Sequence, residues 1–570
     1  MVNLPQKSNS LRSILVLGSD TRSFLSAVRS FGRAGFKVDV GWVDYRSPAL
    51  KSHYINEVVI IPVYSQKSKA WINVLNCLVR ERNYDFVVGC HDQQVLPLQY
   101  HRAELEQPDR FALIPDNAFD VSFNKKLTHE LACKLGISVP EQYIAYSQAN
   151  ISSVMFDWQS VVYIKPLRST NIDNVACRTE VIRVDHPDAI PSFDDETLKN
   201  GLLVQRAVMG RGVGIVLLAK EGKILTAFQH ERIHEPPSGG GSSYRRSIPL
   251  DKGMLEASKK MVHALEYTGV AMFEFKYCAI TDKWWLMEVN GRFWGSMPLT
   301  LAAGIDMPLY WYQMLRQGRE DFPQKYRSNI YCRSWKADRY WLQHNMVAKC
   351  TNKKLLTVSL PSILAEVRHV VLGRERSDTF VWDDPQPAFE ELKQIFFEPI
   401  DVRLRRLKFT QFIVKVKAER AIASAGSILF VCHGNICRSP FAEIIAQQLT
   451  TLPVNSAGTH PLGGRSCPSE AIQAATSQGV KLCDHRSRTL DNSMIDAADI
   501  IFVFDVRNER DILAKFPYAR SKVYQIACLD DGKYDVADPY GDGIAAFENC
   551  YKRLAKLVGR ICYLSGTRHD

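Results

Sequence analysis

The chain has 570 residues, of which 46% are hydrophobic and 23% charged, as expected of a globular protein with several domains. This composition excludes a collagen-like protein, a coiled coil and bulk disorder, and no apolar run reaches the ~18 residues that a membrane span needs. Lys and Arg exceed Asp and Glu by 72 to 61, and this net charge of +11 suits a protein that handles phosphate without requiring nucleic acid.

The amino-terminal segment and the cysteines indicate the compartment. The first apolar stretch is short and has no small-residue cleavage site, so we expect no signal peptide. The 14 cysteines show neither a CxxC pair nor the spacing of a disulfide scaffold. We therefore predict a reducing, cytoplasmic location.

Residues 1–115 alternate between strand and helix patterns. The apolar run SILVLG (13–18) is followed by helix-capping residues, and FKVDVGWV (36–43) alternates as a strand does. EVVIIP and YDFVVGC supply two more strand patterns, so we predict a small doubly wound α/β domain. Its first turn, LGSDTRS, lacks the GxGxxG fingerprint, and we expect no nicotinamide cofactor.

Residues 116–320 change to a helix followed by many strands, an α+β pattern. NKKLTHELACKLGISVP places Lys126 at a helix start, and VVYIKP places Lys165 inside an apolar strand. AMFEFKY and WWLMEVNGRFWGS are predicted to be neighbouring strands that carry Glu274, Glu288 and Asn290. Glu288 and Asn290 are two residues apart, so they project from the same face of their strand.

These residue types suit nucleotide phosphates. Two carboxylates and an amide oxygen are ligands that Mg²⁺ accepts, lysines neutralise phosphate, and Arg292 could contact the transferred group or an acid substrate. Each residue alone has a plainer interpretation, since acids are common at strand ends and Lys165 could extend to water.

The arrangement resembles the ATP-grasp superfamily, near its carbamoyl-phosphate synthetase-like and carboxylate–amine ligase branches, over residues 13–320. The resemblance implies a pre-ATP-grasp α/β domain (1–115) and a two-lobed ATP-grasp domain (116–320). It also implies MgATP or MnATP, an acyl phosphate made from a carboxylate, and attack on it by an amine. The implied roles are phosphate binding by Lys126 and Lys165, adenine contact by Gln205, and metal binding by Glu274, Glu288 and Asn290.

Two features leave alternatives open. The usual Gly-rich lid has no clear counterpart at 168–174, so a regulatory module that binds nucleotide without turnover is the alternative. ERIHEPPSGGGSSYRRS (231–247), which carries Arg232, His234, Arg245 and Arg246, is predicted to be a mobile loop over the acceptor site, the alternative being a linker.

Residues 321–426 are predicted to connect two domains. The basic stretch 401–420 is interpreted as a solvated helix face, and contact with a membrane surface or a polyanion is the alternative. AIASAGS (421–427) is a break in composition that we take as a boundary.

The segment SILFVCHGNICRSPFAEIIAQQL (427–449) carries the most specific pattern of the chain. A buried strand leads to Cys432, a loop continues to Arg438, and Ser439 and Pro440 open a helix. Loop N–H groups and the helix N-terminus can hold an oxyanion and favour a thiolate, while Arg438 offers a planar fork to two phosphoryl oxygens. Ser439 can donate to the departing sulfur.

VADPYGDG supplies the missing general acid. Asp538 precedes a proline that fixes its loop, and Tyr540 beside it can pack on an aromatic substrate. A buried structural thiol is the plainer interpretation of Cys432 alone, but the combination with Arg438 and Asp538 favours phosphate-ester chemistry.

Residues 427–570 resemble a low-molecular-weight protein tyrosine phosphatase, and the segments 456–482 and 485–505 also follow that pattern. The resemblance implies a four-stranded parallel sheet and a phosphocysteine intermediate without metal or cofactor. It makes Cys432 the nucleophile, Arg438 the phosphate clamp and Asp538 the general acid. The implied phosphate loop consists of His433, Gly434, Asn435, Ile436, Cys437 and Ser439, shaped by Asn435 and Ser456.

Variants within the family give three further expectations. Arsenate-reducing relatives add a pair of cysteines that IIFVFDVRNERDILAKF (500–516) lacks, which disfavours that activity. Arginine phosphatases carry Thr in place of Ile436, so Ile436 favours phosphotyrosine proteins or aryl phosphates as substrates. Cys437 lies where some members form a protective disulfide with the nucleophile, and a packing thiol is the equal alternative. The predicted protein is a bifunctional phosphatase and ligase.

Overall fold

The computed structural model describes residues 12–66, 68–168, 170–172, 174–178, 181–193, 195–236, 241–351, 357–405, 408–459, 464–530 and 535–566. The chain divides into two compact units, Met1–Glu391 and Leu392–Asp570. This division falls inside the segment that we expected to connect two domains, and the boundaries at 320 and 426 stay a prediction.

The first unit begins with a four-stranded parallel sheet in the order β3–β2–β1–β4. Successive strand residues point to opposite faces, so Ile14 and Val16 enter one core while Leu15 and Leu17 enter another. Apolar packing on both faces agrees with the predicted α/β domain. Its elements are β1 (Ser13–Leu17), α1 (Ser23–Arg33), β2 (Lys37–Gly41), β3 (Ile55–Val58), α2 (Ala70–Glu81), β4 (Phe86–Gly89) and α3 (Asp92–Tyr100).

A small antiparallel sheet follows, in the order β5–β10–β6–β9. The Asn124 side chain accepts hydrogen bonds from two backbone N–H groups of the first turn of α5, which fixes the start of that helix. The elements are α4 (Asp116–Ser122), α5 (Lys125–Lys134), β5 (Gln142–Ala145), α6 (Gln148–Trp158), β6 (Val162–Pro166), β7 (Thr170–Asn171), β8 (Asn174–Arg178), β9 (Ile182–Val184), α7 (Asp195–Lys199) and β10 (Leu202–Arg206).

A seven-stranded sheet completes the first unit in the order β15–β14–β11–β12–β13–β16–β17. Its last pair, β16 and β17, is parallel and lies beyond residue 320. The elements are β11 (Arg211–Lys220), β12 (Lys223–His234), β13 (Tyr244–Ile248), α8 (Lys252–Ala264), β14 (Gly269–Cys278), β15 (Lys283–Asn290), α9 (Met297–Ala303), α10 (Met307–Gln317), β16 (Tyr331–Arg333), α11 (Trp335–Thr351), α12 (Leu360–Ala365), α13 (Val367–Val371) and β17 (Glu375–Ser377).

The segment 231–247 differs from the predicted mobile loop. Its two ends belong to β12 and β13, and the side chains of His234 and Arg245 are buried. The prediction is wrong for these residues because acids of other elements pair with them: His234 lies 2.7 Å from Asp338, and Arg245 binds buried Asp378. Residues 237–240 lie outside the described part of the chain.

The second unit contains a four-stranded parallel sheet in the order β19–β18–β20–β21, as expected. Helix α14 crosses the division between the units. The elements are α14 (Gln386–Arg405), α15 (Lys408–Ser424), β18 (Ile428–Cys432), α16 (Arg438–Leu449), β19 (Val454–Gly458), α17 (Ser469–Thr476), α18 (Asn492–Ala497), β20 (Ile500–Val503), α19 (Val506–Lys515), β21 (Val523–Gln525) and α20 (Ile544–Leu564).

The basic stretch 401–420 is only partly solvated. Ala418 of α15 is buried in the core of the second unit, whereas Lys417 and Arg420 are exposed. The side chains of 401–410 lie outside the described residues. None of the helices in the described part of the chain is long and apolar enough to cross a bilayer.

Candidate functional site

The loop 433–437 connects the central strand of the second unit to a helix. Cys432 ends β18, and α16 begins at Arg438. The buried Cys432 Sγ accepts the N–H of Asn435 at 3.2 Å and lies 3.1 Å from Ser439 Oγ. Donors directed at a sulfur at a helix N-terminus stabilise negative charge on it. Cys432 is therefore placed to act as a nucleophile.

Asn435 holds the shape of this loop. Its φ of 52° lies in the left-handed region, which Asn tolerates better than most residues. Its Nδ2 donates to Ser439 Oγ at 2.9 Å and to Ser456 Oγ at 2.8 Å, and its Oδ1 accepts the N–H of Arg488 at 2.7 Å. These bonds fix the loop independently of any ligand.

Gly458 permits the close approach of β19 to the loop. A Cβ at this position would lie 2.9 Å from the carbonyl oxygen of His433 and 3.0 Å from the nitrogen of Asn435. Real Cβ atoms do not approach backbone this closely, so the loop geometry requires glycine here.

Arg438 is buried behind the loop and oriented by two carboxylates. One terminal nitrogen donates to Asp505 Oδ2 at 2.7 Å and to the carbonyl of Val536 at 2.9 Å, and the other donates to Asp538 Oδ2 at 2.7 Å. Its Nε has no hydrogen-bond partner among the described residues. A buried donor of this kind is one that a bound oxyanion could satisfy.

Asp538 and Tyr540 lie at the open side of the site. The side chain of Asp538 remains 44% exposed although it binds Arg438. Tyr540 is also exposed, and its N–H lies 3.4 Å from Asp538 Oδ1. The predicted acid, clamp and nucleophile are therefore brought together by the fold.

Asp505, Glu443 and Arg488 also position the site and were not singled out from the sequence. Asp505 binds Arg438 and caps α19, accepting the N–H of Asn508 at 2.7 Å. Glu443 accepts from Ser456 Oγ at 2.6 Å and also binds Arg488. A signal for Asp505 was available, because it lies two residues after the end of β20, whose carboxyl end lies beside that of β18.

The other phosphate-loop side chains differ in exposure. Ile436 and Cys437 are buried, whereas His433 is 37% exposed on its side chain and its Nδ1 lies 4.0 Å from Asp511 Oδ2. Burial raises the pKa of Cys437, and it raises the pKa of Cys467 to about 12. These neighbouring thiols are protonated near neutral pH, and the protective disulfide at Cys437 stays a prediction.

The first unit brings the three predicted metal ligands together. Glu274 and Glu288 lie directly opposite each other on β14 and β15. Asn290 Nδ2 donates to Glu274 Oε1 at 3.3 Å and to Glu288 Oε1 at 3.2 Å. Arg232 binds the other side of Glu274, with Nη2 2.6 Å from Oε2.

The two carboxylates differ in their electrostatic surroundings. Burial raises the pKa of Glu274 and outweighs the opposing effect of Arg232. Burial also opposes ionisation of Glu288, but Lys125 and Lys165 hold its pKa below the usual value. Glu288 is therefore the carboxylate that carries a charge most readily.

The donor set fits a divalent cation completed by nucleotide phosphates. Carboxylate and amide oxygens suit Mg²⁺, which keeps few protein ligands in such sites. Within the described residues, no group of three or more His, Cys, Asp or Glu side chains is arranged around one point. Two carboxylates and one amide are consistent with a metal that the nucleotide helps to hold.

Half-buried Lys165 of β6 pairs with buried Gln205 of β10. Lys165 Nζ donates to Gln205 Oε1 at 2.7 Å. Burial lowers the pKa of Lys165 to about 8. The contact of Gln205 with adenine stays a prediction.

Lys125 occupies the position that we expected for Lys126. Lys125 lines a cleft with Asp92, Arg168, Glu288 and Asn290. The side chain of Lys126 is 41% exposed, and its Nζ lies 4.0 Å from Glu130. Adjacent helical residues point about 100° apart, so only one lysine of the pair can face the carboxylates.

Arg292 is held by the preceding α/β domain. Its guanidinium binds both oxygens of Asp92 at the start of α3, and Nη2 donates to Asn290 Oδ1 at 3.4 Å. Asp92 is a site residue that the sequence did not reveal, because the pair joins elements 200 residues apart.

The first unit contains a second cleft. Arg22, Ser243, Lys336, Trp341 and Glu391 are among its lining residues. Arg22 donates to the carbonyl of Ser242 at 3.3 Å, and Glu391 Oε1 has no hydrogen-bond partner among the described residues. The cleft therefore offers a cation and an acid to a small polar molecule.

Comparison with known proteins supports both resemblances. Residues 427–563 match the family model described as low molecular weight phosphotyrosine protein phosphatase, and residues 199–335 match the model described as ATP-grasp in the biosynthetic pathway with Ter operon. The predicted combination of an ATP-grasp domain and a phosphatase domain is confirmed.

Two curated relatives of the second unit are matched over most of their own length. A probable low molecular weight protein-tyrosine-phosphatase, EpsP of Ralstonia nicotianae, is 32% identical over 133 residues, 23% of this chain and 90% of the relative. A protein-arginine-phosphatase of Geobacillus stearothermophilus is 32% identical over 139 residues, 24% of this chain and 92% of the relative.

Solved structures that cover 56% of this chain include that of a biotin carboxylase. A biotin carboxylase from Campylobacter jejuni in complex with β,γ-ATP has 13% identity and a TM-score of 0.43, covering 56% of this chain and 74% of its own. The ATP-grasp assignment rests on the family model instead.

Proposed function

Residues 427–563 of this chain belong to the low-molecular-weight phosphotyrosine protein phosphatase family, and we propose on this basis that the second unit hydrolyses phosphate monoesters through a phosphocysteine at Cys432. The observation that carries the proposal is the contact of Cys432 Sγ with a loop N–H at 3.2 Å, at the start of the helix that Arg438 opens. A thiolate there faces the phosphorus of an ester held by the loop.

The reaction has two steps in this geometry. The Cys432 thiolate attacks phosphorus while Asp538 gives a proton to the leaving oxygen, which departs as an alcohol. Water then attacks the phosphocysteine, Asp538 takes its proton, and inorganic phosphate leaves as the thiolate is restored. Ser439 Oγ, 3.1 Å from the sulfur, stabilises the departing thiolate.

We propose phosphotyrosine or another aryl phosphate as the substrate. The buried aliphatic side chain of Ile436 in the loop and the exposed ring of Tyr540 beside Asp538 support a flat apolar leaving group. The arginine phosphatase relative makes phosphoarginine the competing substrate. Ile436→Thr should therefore raise the ratio of phosphoarginine to phosphotyrosine turnover, measured on matched peptides, and an unchanged ratio would remove Ile436 from the specificity argument.

The test of the phosphatase is hydrolysis of p-nitrophenyl phosphate. Cys432→Ser should abolish turnover yet still bind inorganic phosphate in calorimetry, because the loop N–H groups remain. Cys483→Ser, at an exposed cysteine, is the matched control and should be fully active. Arsenate reduction with a thiol reductant, in place of ester hydrolysis, would show that the alternative chemistry is correct.

For the first unit we propose an ATP-grasp ligase that joins a carboxylate to an amine. The cluster of Glu274, Glu288 and Asn290 beside Lys125 and Lys165 supports this proposal. A divalent cation held there would link the protein to the nucleotide phosphates. Lys165, whose pKa is lowered but still near 8, would supply a positive charge to the phosphates at neutral pH.

We place the small substrate in the second cleft of the first unit. Arg22 and Lys336 can bind a carboxylate, Trp341 supplies an apolar wall, and Glu391 can accept from an amine. We also propose that the ATP-grasp domain extends beyond residue 320 as far as β17, because that strand belongs to the same sheet.

The ligase is tested by ADP release from MgATP in the presence of pooled carboxylates and amines. Glu288→Gln should abolish release, and Glu256→Gln, at an exposed pair with Lys259 on α8, should not. Tight MgATP binding with no ADP release from any pool would favour a regulatory nucleotide-binding module instead.

A further inference from the structure

Helices α12 and α13 present an apolar face to solvent. Only Glu366 separates the two helices, and Leu360, Leu364, Val367 and Val371 recur at intervals of four, three and four residues. This spacing defines one stripe of a helical surface. Such a stripe normally packs on a core, but all four side chains here are exposed.

These four side chains are exposed although α12 and α13 are attached to the rest of the first unit. On the opposite side Glu366 binds Arg333 at 2.8 Å and His234 at 2.9 Å. The ring of His369 stacks on Tyr331 at a centroid distance of 3.8 Å and bonds to the hydroxyl of Tyr244 at 2.7 Å. Polar residues therefore anchor the segment to the seven-stranded sheet and hold its apolar side outward.

The outward face is larger than the stripe alone. Val370 and Leu372 add to it, and together these residues form the α12–α13 face. Contiguous apolar surfaces of this kind mark interaction sites when they occur on a folded protein. The exposed fractions are Leu360 44%, Leu364 69%, Val367 58%, Val370 59%, Val371 79% and Leu372 58%.

The charges around the α12–α13 face are of one sign. Arg368, Arg374 and Arg376 are exposed beside it. Within residues 357–377, all of which the structure describes, the acids are Glu366 and Glu375, and both bind Arg333 on the inner side. The outward surface combines aliphatic side chains with uncompensated arginines.

We propose that the α12–α13 face docks on an anionic lipid surface. Aliphatic side chains enter the boundary between headgroups and acyl chains, and neighbouring arginines bind the headgroups. This surface is distinct from the basic stretch 401–420. A symmetric contact between two copies is disfavoured by the charges, because it would bring the same three arginines together without an acid to separate them.

The test uses the full chain and extruded vesicles. Sedimentation should recover the protein with vesicles of phosphatidylcholine and phosphatidylserine at a ratio of 7:3, and much less with phosphatidylcholine alone. The double variant Leu364→Glu/Val371→Glu should lose binding at least tenfold, since both changes lie on the surface and oppose insertion. Ile280→Glu, at a position 86% exposed outside this face, is the matched control.

A second double variant tests the contribution of the arginines to lipid binding. Arg368→Gln/Arg374→Gln should weaken binding to the anionic vesicles by about 25-fold, about fivefold for each arginine, and should reduce its salt dependence. The variants lie in the first unit, so a far-UV spectrum and a thermal unfolding profile equal to those of the parent verify that each has folded.

Three results would overturn the proposal. They are no binding to anionic vesicles, equal binding by the Leu364→Glu/Val371→Glu variant and the parent, and self-association in light scattering that this variant abolishes without any vesicle binding. The last result would assign the face to a second copy of the chain.

Discussion

Asp538 binds Arg438 through Oδ2 at 2.7 Å while its side chain stays 44% exposed. The ion pair holds this carboxyl group on the guanidinium, whereas the first chemical step requires it to deliver a proton to the leaving oxygen. A phosphoryl dianion bound at the loop would compete for the guanidinium and release the carboxyl group to carry that proton. Substrate binding thus frees Asp538 from Arg438 to act as the general acid.

The role of Asp538 predicts a dependence on the leaving group. Asp538→Asn should slow turnover of phosphotyrosine by roughly 10² to 10⁴, the usual contribution of a positioned acid. The loss should be smaller for p-nitrophenyl phosphate, whose leaving group needs less protonation. Asp542→Asn, at an exposed position in the same loop, is the control. Equal losses for both substrates would contradict the assignment.

Lys165 predicts a pH dependence for nucleotide binding. Its pKa is lowered to about 8 by burial, so the side chain is charged at pH 7 and loses its proton as the pH rises through 8. MgATP affinity, measured by calorimetry between pH 6.5 and 9.5, should therefore fall above pH 8. Lys165→Arg keeps its charge and should bind with little pH dependence over this range. An unchanged affinity of the parent above pH 8 would contradict the prediction.

At the residue scale, sequence reasoning succeeded where one short segment holds the chemistry. Cys432, Asn435 and Arg438 belong to one strand–loop–helix, and their spacing alone fixes their relation. Asp92 could not be identified in this way, because it meets Arg292 only when distant elements pack. Asp505 could be inferred only from the parallel pairing of β18 and β20, and not from its spacing to Arg438. Lys125 and Lys126 are adjacent, so the choice between them depends on the rotation of α5.

At the scale of elements, the approach of β19 to the phosphate loop can be tested. Gly458→Ala would place a Cβ 2.9 Å from the carbonyl oxygen of His433. The loop must move, and a shift of about 1 Å in a catalytic loop costs on the order of 10²-fold in rate. Aryl-phosphate turnover should fall accordingly, with little change in the far-UV spectrum.

Gly559→Ala is the control for Gly458→Ala. Gly559 lies in α20, a Cβ there meets no atom within 4 Å, and Ala is the better helix former by roughly 1 kcal/mol. This variant should keep its activity and unfold at an equal or higher temperature. A similar loss of turnover in both variants would show that the Gly458 effect is not local.

The elements that were hard to predict are those that polar side chains, rather than apolar ones, hold against the rest of the fold. The stripe of α12 and α13 is apolar, but buried Glu366 and His369 hold the opposite side. The turn residues of 231–247 suggest a loop, yet the alternating side chains at each end pair with acids on distant elements. The strand before Cys432 was predictable because it is apolar on both faces, as a central parallel strand must be.

At the scale of the molecule, the two sites lie in separate compact units with separate cores. Glu288→Gln should therefore abolish MgATP binding without changing aryl-phosphate turnover, and Cys432→Ser should have the reverse effect. Both are measured on the same preparation. Loss of both activities in either variant would show that the units are energetically coupled.

The two carboxylates on Arg438 have a consequence for the end of the catalytic cycle. A guanidinium already neutralised by Asp505 and Asp538 gains little by retaining a free anion. Once hydrolysis is complete, the acids can reclaim their partner and expel the orthophosphate. The two carboxylates thus compete with orthophosphate for Arg438. We therefore expect millimolar orthophosphate to inhibit turnover only weakly.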